Sequence, residues 1–215
     1  MDVSTDVKPR LRGVLHAIAA PLALVGGIVL VLVANSTAAR VGAALFAVTS
    51  VVLFTTSATY HLGAWVPRAK AILRRMDHTN IFLIIAGTYT PLSLLLLPPD
   101  QATVLLSVVW GGAIAGVLIR NFWLSAPRWV YVPIYVALGW AAVFYLPGFA
   151  GGGALILGLI IAGGLLYSVG AAVYATKWPR LSPRWFGFHE VFHSLTIAAF
   201  LAHFSAITLT LVRFA

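Results

Sequence analysis

Seven long runs of apolar residues, near positions 13–34, 41–63, 78–97, 103–119, 129–147, 154–174 and 188–212, take up most of this chain. Each is about 17 to 25 residues long, which suits one helical crossing of the hydrocarbon core of a bilayer. Lipid offers the backbone no hydrogen-bonding partner, so such runs fold as helices that satisfy their own amides. Composition agrees: 61% of the 215 residues are hydrophobic and 9% are charged, whereas a soluble domain carries roughly 25% charged residues. The expected fold is therefore all-α, one polytopic membrane domain over residues 1–215 with seven transmembrane helices. Turn-forming separators, among them Asn35-Ser36, Pro98-Pro99-Asp100, Ser125-Ala126-Pro127 and Gly151-Gly152-Gly153, imply short loops between neighbours.

The distribution of lysine and arginine orients the bundle. Lys8, Arg10 and Arg12 precede the first run; Arg68, Lys70, Arg74 and Arg75 separate the second and third; Arg120 and Arg128 separate the fourth and fifth; Lys177, Arg180 and Arg184 separate the sixth and seventh. Only Arg40 and Arg213 fall on the other side. The positive-inside rule then makes the crowded side cytoplasmic, with the N-terminus inside and the C-terminus outside, as expected of a multi-pass protein of the cell membrane. At about 22 residues the first run exceeds the apolar region of a signal peptide, so it is read as a retained helix. The net charge of +9 needs no nucleic acid partner, because the basic residues lie between the apolar runs and not on a face interleaved with aromatics.

Within the seven runs Glu190 is the only formally charged side chain, and the remaining polar residues converge by depth. The second run travels inward and ends near Ser57 and His61, the third starts outward at Asp77-His78, and the seventh starts at His189-Glu190-Val191-Phe192-His193. His189 and His193 are four apart, so their rings stack on one helical face and both reach a single ion. His61 completes a three-histidine set. Without cysteine in the chain, imidazole and carboxylate are the donors left for a tightly held transition metal. Three neutral imidazoles with an open fourth position are the arrangement in which zinc is catalytic. Asp77 is placed to serve as general base, and Ser57, one turn deeper than His61, to hydrogen-bond a ligand or water.

Other readings weigh against these. The string HEVFH matches the H-E-x-x-H pattern of zinc proteases, which would make Glu190 the base, but Thr196 and Ala199 stand where a metzincin needs Gly and His. Asp77 is also a candidate helix N-cap. His16, near the start of the first run, and His78, beside Asp77, read as structural or supporting groups, and His203 as a polar contact within the bundle. Several of the seven tryptophans suit an interfacial belt. Pairs such as Gly26-Gly27, Gly111-Gly112 and Gly163-Gly164 read as close-packing positions.

Three motifs together, Ser57-Ala-Thr-Tyr-His61, the stretch from Met76-Asp77-His78 to Pro91, and His189-Glu-Val-Phe-His193, resemble the hemolysin III family, which belongs with the progestin and adiponectin receptors. The resemblance covers nearly the whole chain in order and spacing. It implies an adiponectin-receptor-like bundle in which the family's zinc ligands fall on His61, His189 and His193, its Asp on Asp77 and its Ser on Ser57. It also implies kinship with alkaline ceramidases, hence a zinc-dependent hydrolase acting on a lipid amide, with membrane lipid as substrate. A membrane-perturbing hemolysin and a lipid-state sensor with structural zinc are the alternatives. The oligomeric state is not legible in the residues.

Overall fold

The computed structural model describes residues 8–123, 127–182 and 184–214. Ser125-Ala126, Pro183 and the side chains of Arg128 and Trp129, which figure in the loop, charge and belt expectations, lie outside that description. Among the described residues eight α-helices run in chain order: α1 (Val14–Val33), α2 (Thr37–Leu62), α3 (Pro67–Leu96), α4 (Pro99–Phe122), α5 (Arg128–Gly139), α6 (Leu146–Ala150), α7 (Ala154–Thr176) and α8 (Phe188–Phe214). A 3-10 turn over Ala141–Tyr145 joins α5 to α6, and these pieces together make one segment, Val130–Ala150. Among the described residues there are thus seven helical segments long and apolar enough to cross a membrane, and no β-strand. The chain is an all-α integral membrane protein.

Consecutive helices pack side by side, and α8 closes the bundle by returning against α1 and α3. Three helices form its centre: 67% of the most apolar stretch of α3 is buried, 56% of α2 and 44% of α8, against 28% or less in the other four segments. Inside, Phe46 stacks on Phe200 with ring centroids 5.6 Å apart, and Phe54 meets the same ring edge-on at 5.1 Å. Leu22, Leu32 and Val212 point outward, as they can where acyl chains are the solvent. Small residues let backbones approach: a Cβ on Gly42 of α2 would stand 2.7 Å from the Pro91 Cα of α3. The sequence expectation fails at Gly111, which has no neighbour within 4 Å and faces away from any partner helix.

Three elements differ from the expected boundaries, each for a local reason. The third helix begins at Pro67 and so includes the basic stretch Arg68 to Arg75, expected as loop. Pro67 suits the first turn, no breaker follows it, and Ala69, Lys70, Ala71, Leu73 and Arg74 are good helix formers. Asp77 consequently sits ten residues inside α3, and its N-cap reading is withdrawn. Arg120 belongs to the last turn of α4 and is buried, at 5% exposure, where a loop residue was expected. Its guanidinium lies 2.8 Å from His78 Nδ1 and packs over Tyr131 at 4.6 Å.

The fifth segment is not one helix. It breaks after Gly139, and the hydroxyl of Tyr89 on α3 repairs the break, donating to the Gly139 carbonyl at 2.7 Å while accepting from the Ala142 amide at 2.8 Å. Trp140, at the break, donates from its indole to Ser168 on α7 at 2.8 Å. Irregular backbone at membrane depth survives only where protein groups satisfy it in this way.

At the end of the bundle where the basic residues gather, the segment before α1 is fastened to three other parts of the chain. Lys8 donates to the His61 carbonyl at the end of α2, the Arg10 amide donates to the Arg184 carbonyl at 3.0 Å, and Arg12 pairs with Glu190. Glu190, 1% exposed, also accepts from the Gly187 amide at 2.8 Å and so caps α8 in the manner of a capping box. Gly13 then starts α1 in the left-handed region at φ 87°, with its Cα so near His61 that a Cβ would lie 2.7 Å from that of the histidine. Only glycine fits there.

Two outcomes follow for thermal unfolding in detergent. Tyr89→Phe should destabilise the bundle by about 1–3 kcal/mol, because it leaves a half-buried carbonyl and a half-buried amide without their shared partner. Arg12→Ala should cost roughly 3–5 kcal/mol by leaving Glu190 buried without its cation, and Arg12→Ala/Glu190→Gln should recover part of that loss.

Candidate metal centre

Helix α2 delivers His61 on its last turn, and α8 delivers His189 and His193 on its first two turns. His61 and His193 are buried and His189 is half-buried. One ring nitrogen from each lies within 4.8 Å of the other two, and Nε2 of His61 is 3.1 Å from Nε2 of His189. A tetrahedral zinc with bonds near 2.0–2.1 Å holds its nitrogens about 3.3 Å apart. The donor set therefore fits such an ion in kind, its closest pair of nitrogens stands at that spacing, the sequence expectation of one cluster is met, and the i, i+4 pair on α8 is what makes two of the donors coincide.

Asp77, from α3, stands beside this cluster and outside it: its Oδ2 is 3.9 Å from His61 Nε2, but it does not share the mutual spacing of the three imidazoles. Ser57, 1% exposed and one turn deeper on α2, has its hydroxyl next to the Asp77 carboxyl, short of ordinary hydrogen-bond geometry with any group. Glu190 is elsewhere. Both of its oxygens are engaged, one by Arg12 and the other by the Gly187 amide, which removes it from the role a zinc protease would require.

Two histidines support the cluster differently. The His16 ring lies flat against that of His193, with centroids 3.9 Å apart and planes within 3°, and edge-on to Phe54 at 5.1 Å. A stacked ring fixes the plane of its neighbour without competing for the same ion, so His16 orients His193. His78 is held by other helices: Arg120 can only donate, so His78 Nδ1 accepts, and the remaining ring nitrogen faces the Tyr174 hydroxyl at 3.4 Å. Its carbonyl accepts from Tyr135 at 2.9 Å. His78 thereby ties α3 to α4, α5 and α7 one residue from Asp77. Sequence reading missed the partnership of Arg12 with Glu190 and the stacking of His16. Neither had a local signal: Arg12 and His16 meet Glu190 and His193 only through contacts between distant parts of the chain.

A cavity opens from this cluster into the membrane interior, lined at one end by Ser57, Asp77, His189 and His193. Along α3 it is walled by positions 77, 81, 84, 85, 88 and 92, successive turns that span about 22 Å. Beyond the cluster the walls are mainly aliphatic and aromatic, with Tyr89, Trp140 and Phe149 toward the far end. This is a long apolar channel with polar chemistry at one end.

Comparison with known proteins agrees with the architecture. A family model described as "Haemolysin-III related" matches residues 5–204. The chain is 28% identical over 170 residues to the Hemolysin-3 homolog of Bacillus subtilis (strain 168), covering 79% of this chain and 76% of the relative. It is 29% identical over 177 residues to Hemolysin-3 of Bacillus cereus, covering 79% and 78%. With its membrane-spanning bundle, its three motif-bearing helices at the centre and a match over nearly its whole length, this chain belongs to the haemolysin-III related family.

Proposed function

We propose that His61, His189 and His193 hold zinc, and that the protein is a zinc-dependent hydrolase of a lipid amide at the cytoplasmic face of the cell membrane. One juxtaposition carries this reading: three imidazoles with mutually adjacent nitrogens stand beside a carboxylate at the end of a long apolar cavity. Zinc bound by three imidazoles supplies a Lewis acid that polarises a carbonyl and makes water nucleophilic near neutral pH.

The chain's own groups supply the rest. Asp77 Oδ2 accepts a proton from the attacking water as the water oxygen bonds to the carbonyl carbon. The same carboxyl then delivers that proton to the amide nitrogen as the C–N bond breaks, leaving a carboxylic acid and a free amine. The Ser57 hydroxyl, buried and without a hydrogen bond, donates to the carbonyl oxygen as negative charge develops there. The apolar cavity takes the acyl chain and keeps bulk water from the reacting groups. Asp77 lying outside the donor cluster favours catalysis over a purely structural ion, since structural zinc is usually closed by four protein ligands.

Elemental analysis of detergent-purified protein should find about one zinc per chain, lost in His61→Ala and in His189→Ala/His193→Ala. Zinc-free wild type would sink the proposal. Asp77→Ala should keep its zinc while hydrolysis of ceramide or a simple acyl amide falls roughly 10²- to 10⁴-fold. Full zinc with no turnover of such lipids would leave the ion as a tie between α2 and α8, in keeping with a lipid-state sensor. The relatives are named for haemolysis, and red-cell lysis by purified protein, undiminished in His61→Ala, would favour membrane perturbation over hydrolysis.

A further inference from the structure

Deep in the cavity, away from the cluster, two of the side chains that line it carry hydrogen-bonding capacity that the protein does not use. His203 of α8 and Tyr167 of α7 both line the cavity, with rings near-parallel and centroids 5.7 Å apart. The Tyr167 hydroxyl oxygen and His203 Nδ1 are fully buried, and neither bonds to any protein group. Leaving two such atoms unmet within a bilayer is costly, and buried polar atoms in folded proteins almost always have a partner.

The chemistry of that partner can be read from the ring. His203 Nε2 lies 3.2 Å from the Ile160 carbonyl, which can only accept, so Nε2 carries the proton and Nδ1 presents a lone pair. The pair therefore offers one acceptor, His203 Nδ1, and a Tyr167 hydroxyl free to donate, on rings whose centroids are 5.7 Å apart. A keto oxygen or an ether satisfies only the tyrosine. A hydroxyl satisfies both, donating to His203 Nδ1 and accepting from Tyr167. The backbone makes room for this imidazole: a Cβ on Gly163 would meet the His203 ring at 2.5 Å.

We propose that the deep end of the cavity is a subsite for a hydroxyl group carried partway along a lipid chain. His203 lies ten residues beyond His193 on α8, about 15 Å, the reach of an extended alkyl chain of roughly a dozen carbons. The inference rests on the reading that a lipid chain enters the cavity with its head group at the histidine cluster, and is independent of hydrolysis.

The test is direct binding to the full chain in nanodiscs, with 12-hydroxyoctadecanoic acid, octadecanoic acid and 2-hydroxyoctadecanoic acid as probes. Wild type should prefer the 12-hydroxy acid over both others by roughly tenfold, the 2-hydroxy acid controlling for solubility. In Tyr167→Phe, which removes one oxygen and little else, and in His203→Phe, which keeps an aromatic ring, that preference should fall to about one. Equal binding of the three acids, or a preference that survives both variants, overturns the subsite while leaving the lipid cavity standing. Failure of all three to bind overturns the subsite and the lipid reading together, and the zinc measurement then decides separately whether the metal centre stands.

Discussion

Hydrocarbon cannot hydrogen-bond, and the structure is organised around that constraint. Every polar group that enters the bilayer must find a partner inside the protein, so polar residues are drawn from the outer faces of the helices to the shared interior of α2, α3 and α8. Serines and threonines close onto carbonyls a turn earlier in their own helix, as Ser50 does to Phe46 at 2.6 Å and Thr88 to Ile84 at 2.8 Å. Tyr89 spends both faces of its hydroxyl on the break in the fifth segment. Groups that are not satisfied in these ways stand out, and several of them line one cavity, from Ser57 beside the histidine cluster to Tyr167 and His203 at depth.

The same constraint explains how one end of the bundle becomes chemically dense. Arg12 and Glu190 neutralise each other where either charge alone would be expensive, and Glu190 spends its other oxygen capping α8. That cap fixes the first turn of α8, which carries His189, and the following turn, which carries His193. Stacking by His16 then sets the plane of the His193 ring. The cluster is positioned by groups that do not belong to it: Arg12 before α1, His16 on α1 and Glu190 on α8.

Much of this was legible in the residues because it depended on local periodicity. Apolar run length gave seven crossings, and the four-residue interval between His189 and His193 put two imidazoles on one face. Alternation of helices then brought His61 and Asp77 to their level. What stayed hidden depends on contacts between distant positions. Nothing near Gly139 announces that the helix stops there, because the hydroxyl that makes the break tolerable comes from Tyr89, fifty residues earlier. The burial of Arg120 depends on His78 and Tyr131, and the engagement of Glu190 depends on Arg12, so each side chain reads ambiguously until its partner is known. The run of basic residues in α3 misled in another way, since charge marks where the membrane stops and not where the helix does.

The fastening of Lys8, Arg10 and Arg12 to α2, to the loop before α8 and to Glu190 has a bearing on how the molecule is made. A ribosome delivers the segment before α1 long before α8, with 178 positions separating Arg12 from the carboxylate that receives it. Until that final helix is threaded into the membrane, Arg12 lacks its anion and His193 has not arrived beneath His16. The histidine cluster is therefore assembled only once α8 has joined the bundle, and a chain truncated before α8 lacks two of its three imidazoles.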